Sequence, residues 1–217
     1  MEDIDSGLYR DIGDFAHDTP AWVQHLLEAW TEAGLLLFGV LFAAAWWRAR
    51  RGGPGALALA VLAPLATAVA YVCSELVKSA VDEERPCRAV AGAPASLVAC
   101  PPHGDWSFPS NHATIAGAAA VALTLAWRGI ARLAFPMALL MAYSRVFVGV
   151  HYPHDVLVGL LIGAVVGYAV VRLGRQPMTR VAEALRASSA GPVRWFAGPG
   201  CTVPGSGLSQ PQTAGPG

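Results

Sequence analysis

The residues of this chain best suited to chemistry fall in three short clusters: Lys78 with Arg85-Pro86, Pro109-Ser110-Asn111-His112, and Ser144-Arg145 followed by His151 and Asp155. His151 and Asp155 are four residues apart around Pro153, a spacing that suits the start of a helix with proline in its first turn. From there the carboxylate can hold one imidazole nitrogen as N–H and leave the other unprotonated for nucleophilic attack. It also stabilises the positive charge that builds on the ring. His112 is a second imidazole at another predicted helix start, and is suited to protonate a departing oxygen near neutral pH.

Lys78, Arg85 and Arg145 offer three positive charges, and guanidinium groups grip phosphate oxygens through parallel N–H donors. Ser110 and Asn111 directly precede a helical run, where free backbone N–H groups and the serine hydroxyl point at an anion. Taken one at a time, each has a plainer explanation: a cation snorkelling to a membrane surface, a serine capping a helix. As a set they describe a phosphoryl pocket, in which positioning and charge stabilisation supply most of the catalysis. The scheme requires no metal and no cofactor. His151, His154 and Asp155, with His112, are conceivable metal ligands, but the surrounding cations oppose a divalent ion and favour an anionic substrate.

The elements that must carry these residues are membrane spans. Of the 217 residues 54% are hydrophobic and 14% charged, and the apolar ones gather into long blocks rather than amphipathic stripes. Five blocks approach the roughly 20 residues a spanning helix needs: 29–47, 56–77, 113–127, 133–150 and 156–173. The third is the weakest, diluted by Thr114, Thr124 and small residues. The expected fold is all-α, a polytopic helical bundle of about five transmembrane helices. An N-terminal interfacial helix is expected to begin at Thr19-Pro20, with Trp22, Val23, Leu26, Leu27 and Trp30 as its apolar stripe; a plain extension of the first span is the alternative.

The fifteen basic and fifteen acidic residues cancel in total but are sorted by position. Arg48, Arg50 and Arg51 follow the first block, Arg128 and Arg132 join the third and fourth, and Arg172, Arg175, Arg180, Arg186 and Arg194 follow the fifth, which places these ends in the cytoplasm. The N-terminus, the linker 79–109 and the His151 segment are then extracytoplasmic, with the C-terminus inside. Residues 1–18 are acidic and lack the apolar core of a signal peptide. The expected organisation is an extracytoplasmic segment with interfacial helix (1–28), a membrane domain (29–175) and a cytoplasmic, mostly disordered tail (176–217) rich in Gly, Pro, Ser, Thr and Gln from residue 188. Cys87 and Cys100 share the outer linker, where a disulfide between them can persist or both thiols can stay free. The partners expected are the bilayer and an anionic phosphoryl substrate, not nucleic acid, and the oligomeric state is left open.

Read as motifs, the clusters are K-x6-R-P, P-S-N-H and S-R-x5-H-x3-D, and in this order they resemble the type 2 phosphatidic acid phosphatase superfamily, which also includes vanadium haloperoxidases and glucose-6-phosphatase. The resemblance covers about residues 70–170. It implies that Lys78, Arg85, Ser110 and Arg145 bind phosphate, Asn111 gives a backbone N–H, His112 is the acid, His151 the nucleophile and Asp155 its orienting partner. One departure is Asn111, where the family commonly has glycine. The stretches W-S-F-P-S-N-H-A from Trp106 and R-V-F-V-G-V-H-Y-P-H-D from Arg145 are similar to the bacitracin-resistance type of undecaprenyl pyrophosphate phosphatases. That likeness implies a metal-independent phosphatase acting on the cell-wall lipid carrier at the outer leaflet. Phosphatidic acid, phosphatidylglycerol phosphate and other polyprenyl phosphates are the alternative substrates, and a lipid-binding protein without turnover is the non-enzymatic alternative.

Overall fold

The computed structural model describes residues 2–199, with side chains from residue 5. The described chain is helical, without strands: α1 Glu2–Asp18, α2 Ala21–Ala49, α3 Pro54–Val81, α4 Pro86–Ala89, α5 Asn111–Ala126, α6 Ala131–Phe147, α7 Pro153–Ala187 and α8 Gly191–Ala197, with a 3-10 turn at Arg128–Ile130 before α6. Four stretches are long and apolar enough to cross a membrane: Ala21–Ala49, Pro54–Ala89, Arg128–Phe147 and Pro153–Ala187. The fifth expected span, α5, has 16 residues. At 1.5 Å per residue that is about 24 Å, short of the roughly 30 Å hydrocarbon core.

Burial explains why α5 can be short and built largely of small side chains. Ala113, Ala116, Ala118, Ala119, Ala120 and Ala122 are all fully buried, because α3, α6 and α7 surround α5. A central helix meets protein rather than lipid, so small side chains that let backbones approach serve it better than bulk hydrophobicity. Its closest neighbour is α7, whose Gly159, Gly163 and Gly167 recur every fourth residue along the contact. A Cβ on Gly159 would stand 2.6 Å from the Ser110 carbonyl oxygen, and one on Gly163 would overlap the Thr114 carbonyl oxygen. This approach brings the N-termini of α5 and α7 together, where the Ser110 N–H donates to the Asp155 carbonyl at 3.2 Å.

The N-terminal helix lies elsewhere than expected. From Ala21 to Ala49 the chain forms one unbroken α2, so the Trp22 stripe extends the first span, and the separate helix is α1, within the acidic segment. Tyr9 and Ala16 are buried, with Ile12 packed beside them, an i, i+3, i+7 stripe amid the aspartates. Thr19 closes α1 by donating its hydroxyl to the Ala16 carbonyl at 2.6 Å rather than capping α2. Tyr9 ties α1 to the turn before α7 through a 2.9 Å bond from its hydroxyl to the Gly149 carbonyl, at a residue whose φ of 83° glycine adopts readily.

The C-terminal boundary also moves. Gln176-Pro177 does not end the last span, because α7 continues to Ala187. Met178 packs on the cluster of Leu62, Ala63, Ala66 and Val171, and Ala182 is buried with Leu57 and Ala197. Packing on both sides of Pro177 thus holds the helix where a missing N–H would otherwise break it. Residues 191–197, expected to be disordered, form α8 against this end of the bundle. The rest of the expected tail, 200–217, lies outside the described residues.

Candidate functional site

The three clusters meet at one end of the bundle, each held by the end of a helix: Lys78 in the last turn of α3, Arg85 before α4, Ser110 before α5, Asn111 and His112 in its first turn, Arg145 in the last turn of α6, and His151 and Asp155 at the start of α7. Lys78, Arg85, Ser110, Arg145, His151 and Asp155 are all buried. Burying three cations together is costly unless an anion or a hydrogen bond offsets it.

At the centre, His151 Nδ1 lies 3.2 Å from Asp155 Oδ2. That oxygen also accepts the Tyr152 backbone N–H at 2.8 Å and the Ser107 hydroxyl at 2.5 Å. With Nδ1 donating to the carboxylate, Nε2 carries the lone pair and faces Arg85 Nη1 at 3.2 Å. Burial pushes the His151 pKa down to about 4, although the Asp155 hydrogen bond and charge pull upward. The imidazole is therefore neutral at pH 7, with Nε2 available to an electrophile.

Arg85 is anchored through Nη1 to the Val150 carbonyl at 2.9 Å and through Nε to the Asp105 carbonyl at 2.7 Å. Its Nη2 donates to Asp105 Oδ1 at 2.9 Å, and the same oxygen stands 3.4 Å from Lys78 Nζ. At this site the Ser110 hydroxyl and Arg145 Nε are buried without a hydrogen-bond partner among the described residues. Ser110 thus forms no side-chain cap on α5, and its hydroxyl remains available to a ligand. His112 lies within electrostatic range of Arg145, His151, Lys78 and Arg85.

Asn111 turns away from this pocket. Its amide donates to Glu75 Oε1 and its Oδ1 accepts the Ser74 hydroxyl at 2.7 Å. The residue is the first of α5 and its φ is not positive, so glycine's conformational freedom is not needed here. A buried nucleophile-competent imidazole, an orienting carboxylate and convergent cations with unpartnered donors form a site for attack on an anionic, oxygen-rich centre.

Residues 58–178, more than half of the chain, match the PAP2 superfamily. The chain belongs to the PAP2 superfamily. An undecaprenyl-diphosphatase of Sulfolobus acidocaldarius is 36% identical to it over 123 residues, covering 55% of this chain and 57% of the relative. A decaprenylphosphoryl-5-phosphoribose phosphatase of Mycobacterium tuberculosis is 40% identical over 108 residues, covering 49% and 56%. The chain thus spans rather more than half the length of these relatives. Among solved structures, a transmembrane PAP2-type phosphatidylglycerolphosphate phosphatase of Bacillus subtilis superimposes with a TM-score of 0.60 at 20% identity, covering 79% of this chain and 85% of that one. This last likeness shows a shared membrane fold.

Two residues of this PAP2 site were not singled out by the sequence: Asp105 and Ser107. Ser107 lies within the W-S-F-P-S-N-H-A stretch. It is fully buried, its N–H donates to the Glu83 carbonyl at 2.7 Å, and its hydroxyl braces Asp155. Glu75 stands 4.0 Å from Lys78 Nζ while accepting from Asn111, so it does more than pair along its helix. Cys87 and Cys100 are joined by a disulfide with Cα atoms 6.1 Å apart, closing a loop in the linker between α3 and α5. Glu83, His154 and Asp155 present ligand-type atoms within 4.8 Å of one another. Both His154 nitrogens already face carboxylates, Nδ1 to Asp5 at 2.7 Å and Nε2 to Glu83 at 3.2 Å, so an imidazolium satisfies the cluster.

Proposed function

We propose that this PAP2 protein is a metal-independent lipid phosphatase that forms a phosphohistidine on His151 and acts first on a polyprenyl pyrophosphate, undecaprenyl pyrophosphate above the others. The observation that carries the reading is the His151–Asp155 pair: Nδ1 lies 3.2 Å from the carboxylate and Nε2 3.2 Å from the Arg85 Nη1 donor, a geometry that favours the tautomer with Nε2 unprotonated. In the proposed reaction Nε2 attacks the terminal phosphorus and forms a P–N bond as the bridging P–O bond breaks. His112 protonates the departing polyprenyl monophosphate. Water then attacks the phosphohistidine, losing its proton to His112, and orthophosphate leaves with Nε2 restored. Lys78, Arg85, Arg145, the Ser110 hydroxyl and the N–H groups at the start of α5 take the equatorial oxygens.

The choice of lipid is supported by the names of the two relatives above, both phosphatases of polyprenyl-linked phosphates. The arginine-rich ends described by the sequence support a cytoplasmic C-terminus and an outward-facing site. The deciding experiment is orthophosphate release in detergent with EDTA, comparing undecaprenyl pyrophosphate, phosphatidic acid and phosphatidylglycerol phosphate for the wild type and His151→Ala. Preference for the prenyl pyrophosphate, lost in the variant, is expected. A glycerolipid preference would move the substrate assignment, and full activity of the variant would sink the mechanism.

A further inference from the structure

The end of the bundle opposite His151 carries a second group of cations. There α8 folds back on the end of α2, so that Trp195 and Phe196 pack on Trp46 with ring centroids 5.6 and 5.5 Å apart. Ala197 is buried with Leu57 of α3 and Ala182 of α7. The fold-back borders an open cavity of about 490 Å³ lined by Arg50, Arg186, Arg194, Trp195 and Gly198, with no carboxylate among its described lining residues.

Two of these guanidinium groups are fixed in place yet incompletely paired. Arg50 lies 5.1, 4.6 and 4.7 Å from the ring centroids of Trp46, Trp47 and Trp195, and its Nη2 donates to the Trp195 carbonyl. Its Nε is buried with no acceptor among the described residues. Arg186 donates Nε to the Ala197 carbonyl at 3.3 Å, while its Nη2 is likewise buried with no acceptor. Three cations around one cavity repel each other, and buried charged donors without acceptors are costly. A multi-oxygen anion relieves both.

The surroundings indicate where the anion comes from. Trp47 and Trp195 are 51% and 61% exposed beside the cavity, and tryptophan favours the headgroup level of a bilayer. Basic pockets at the ends of membrane helices bind anionic headgroups. We propose that Arg50, Arg186 and Arg194 form a binding site for the phosphate headgroup of an anionic membrane lipid, separate from the His151 site and independent of the reaction proposed there.

The test uses the full chain, delipidated in detergent, with native mass spectrometry to count bound phosphatidylglycerol against phosphatidylcholine and a parallel titration with inorganic phosphate. The expected result is a phosphatidylglycerol preference that falls by about fivefold for each arginine removed in Arg186→Gln and in Arg186→Gln/Arg194→Gln. The Arg186→Lys/Arg194→Lys pair is expected to keep the preference, which separates lost charge from lost folding. Orthophosphate release at the far site should be unchanged in all of them. Equal lipid binding by the wild type and the glutamine variants overturns the site. Displacement of phosphatidylglycerol by millimolar inorganic phosphate, with no preference left between lipids, overturns the lipid as its ligand.

Discussion

Asp105 Oδ1 stands 2.9 Å from Arg85 Nη2, and Lys78 Nζ approaches the same oxygen at 3.4 Å, so a carboxylate of the chain occupies the cation pair assigned to phosphate. Burial favours the neutral acid, but the Arg85 hydrogen bond and the charges of Arg85 and Lys78 prevail and hold the Asp105 pKa below its ordinary value. The group is therefore ionised throughout the working pH range and competes with an incoming phosphoryl group. Asp105→Asn keeps the backbone carbonyl that anchors Arg85 and removes the competing charge. Orthovanadate, which mimics the trigonal bipyramidal phosphoryl group, is expected to inhibit this variant roughly tenfold more tightly, equivalent to about 1.4 kcal/mol. Weaker inhibition than in the wild type would show that Asp105 aligns the cations rather than screening them.

Replacing His151 removes the proposed attacking atom, so His151→Ala is expected to lower kcat by at least about a thousandfold, as loss of a covalent nucleophile does. Rapid quench at alkaline pH, where a phosphohistidine survives and acid-labile adducts can be counted, should give labelled protein for the wild type and none for the variant. Label retained on His151→Ala would place the nucleophile elsewhere.

The pH dependence follows from the burial of the same ring. With its pKa lowered from 6.5 to about 4, His151 loses its lone pair to a proton only when the pH falls well below the ordinary histidine range. The limb of kcat/KM that reports this group should have its midpoint near pH 4, with full nucleophile at pH 6. Folding shows the same sign. The unfolded state takes up this proton at higher pH than the folded state, so stability rises with pH between about 4 and 6.5 and is lost as the pH falls through that window. A midpoint at 6.5 that His151→Ala abolishes would mean that the ring is not desolvated.

The contact between His151 and Asp155 could be read from the sequence because it is local: a spacing of four around a proline fixes both on one helix start. The cation set could be read because basic residues are rare on that side of the charge pattern. Asp105 and Ser107 could not, since each acts across the fold, on Arg85 and Asp155, through a loop whose path no periodicity records. The depth of α5 was legible only as weakness, because a helix packed on all sides by protein loses the hydrophobic bulk that marks a span. Helix α1 was hidden for the opposite reason: its stripe of Tyr9, Ile12 and Ala16 is too sparse among aspartates to stand out until the turn at Gly149 gives it a surface to cover.

Ser107 offers a test of positioning rather than chemistry. Its hydroxyl reaches Asp155 Oδ2, the oxygen that also faces His151 Nδ1, and does not reach Nε2. Ser107→Ala should lower kcat by on the order of tenfold, the scale of one hydrogen bond to a charged group, with KM little changed. Ser107→Thr should restore part of the rate. A rise in KM at constant kcat would mean that the hydroxyl contacts substrate instead.

The approach of α7 to α5 gives the last prediction, and it separates the fold from the chemistry. Gly163 faces the backbone of α5 at Thr114, where an added Cβ has no room, and four residues earlier the α7 backbone lies against Ser110. Gly163→Val must push the two helices apart or bend one of them, at a cost of about 1–3 kcal/mol for an overpacked contact. Because Ser110 and Asp155 are joined across this contact by a 3.2 Å backbone hydrogen bond, the displacement also shifts the serine proposed to bind phosphate relative to His151. The expected outcome is a lower midpoint of thermal unfolding together with a loss of activity larger than the unfolded fraction accounts for. Gly39 has nothing within 4 Å of its Cβ position, so Gly39→Ala serves as the control and should change neither. Normal activity and stability in Gly163→Val would show that the α5–α7 contact is looser than the structure places it.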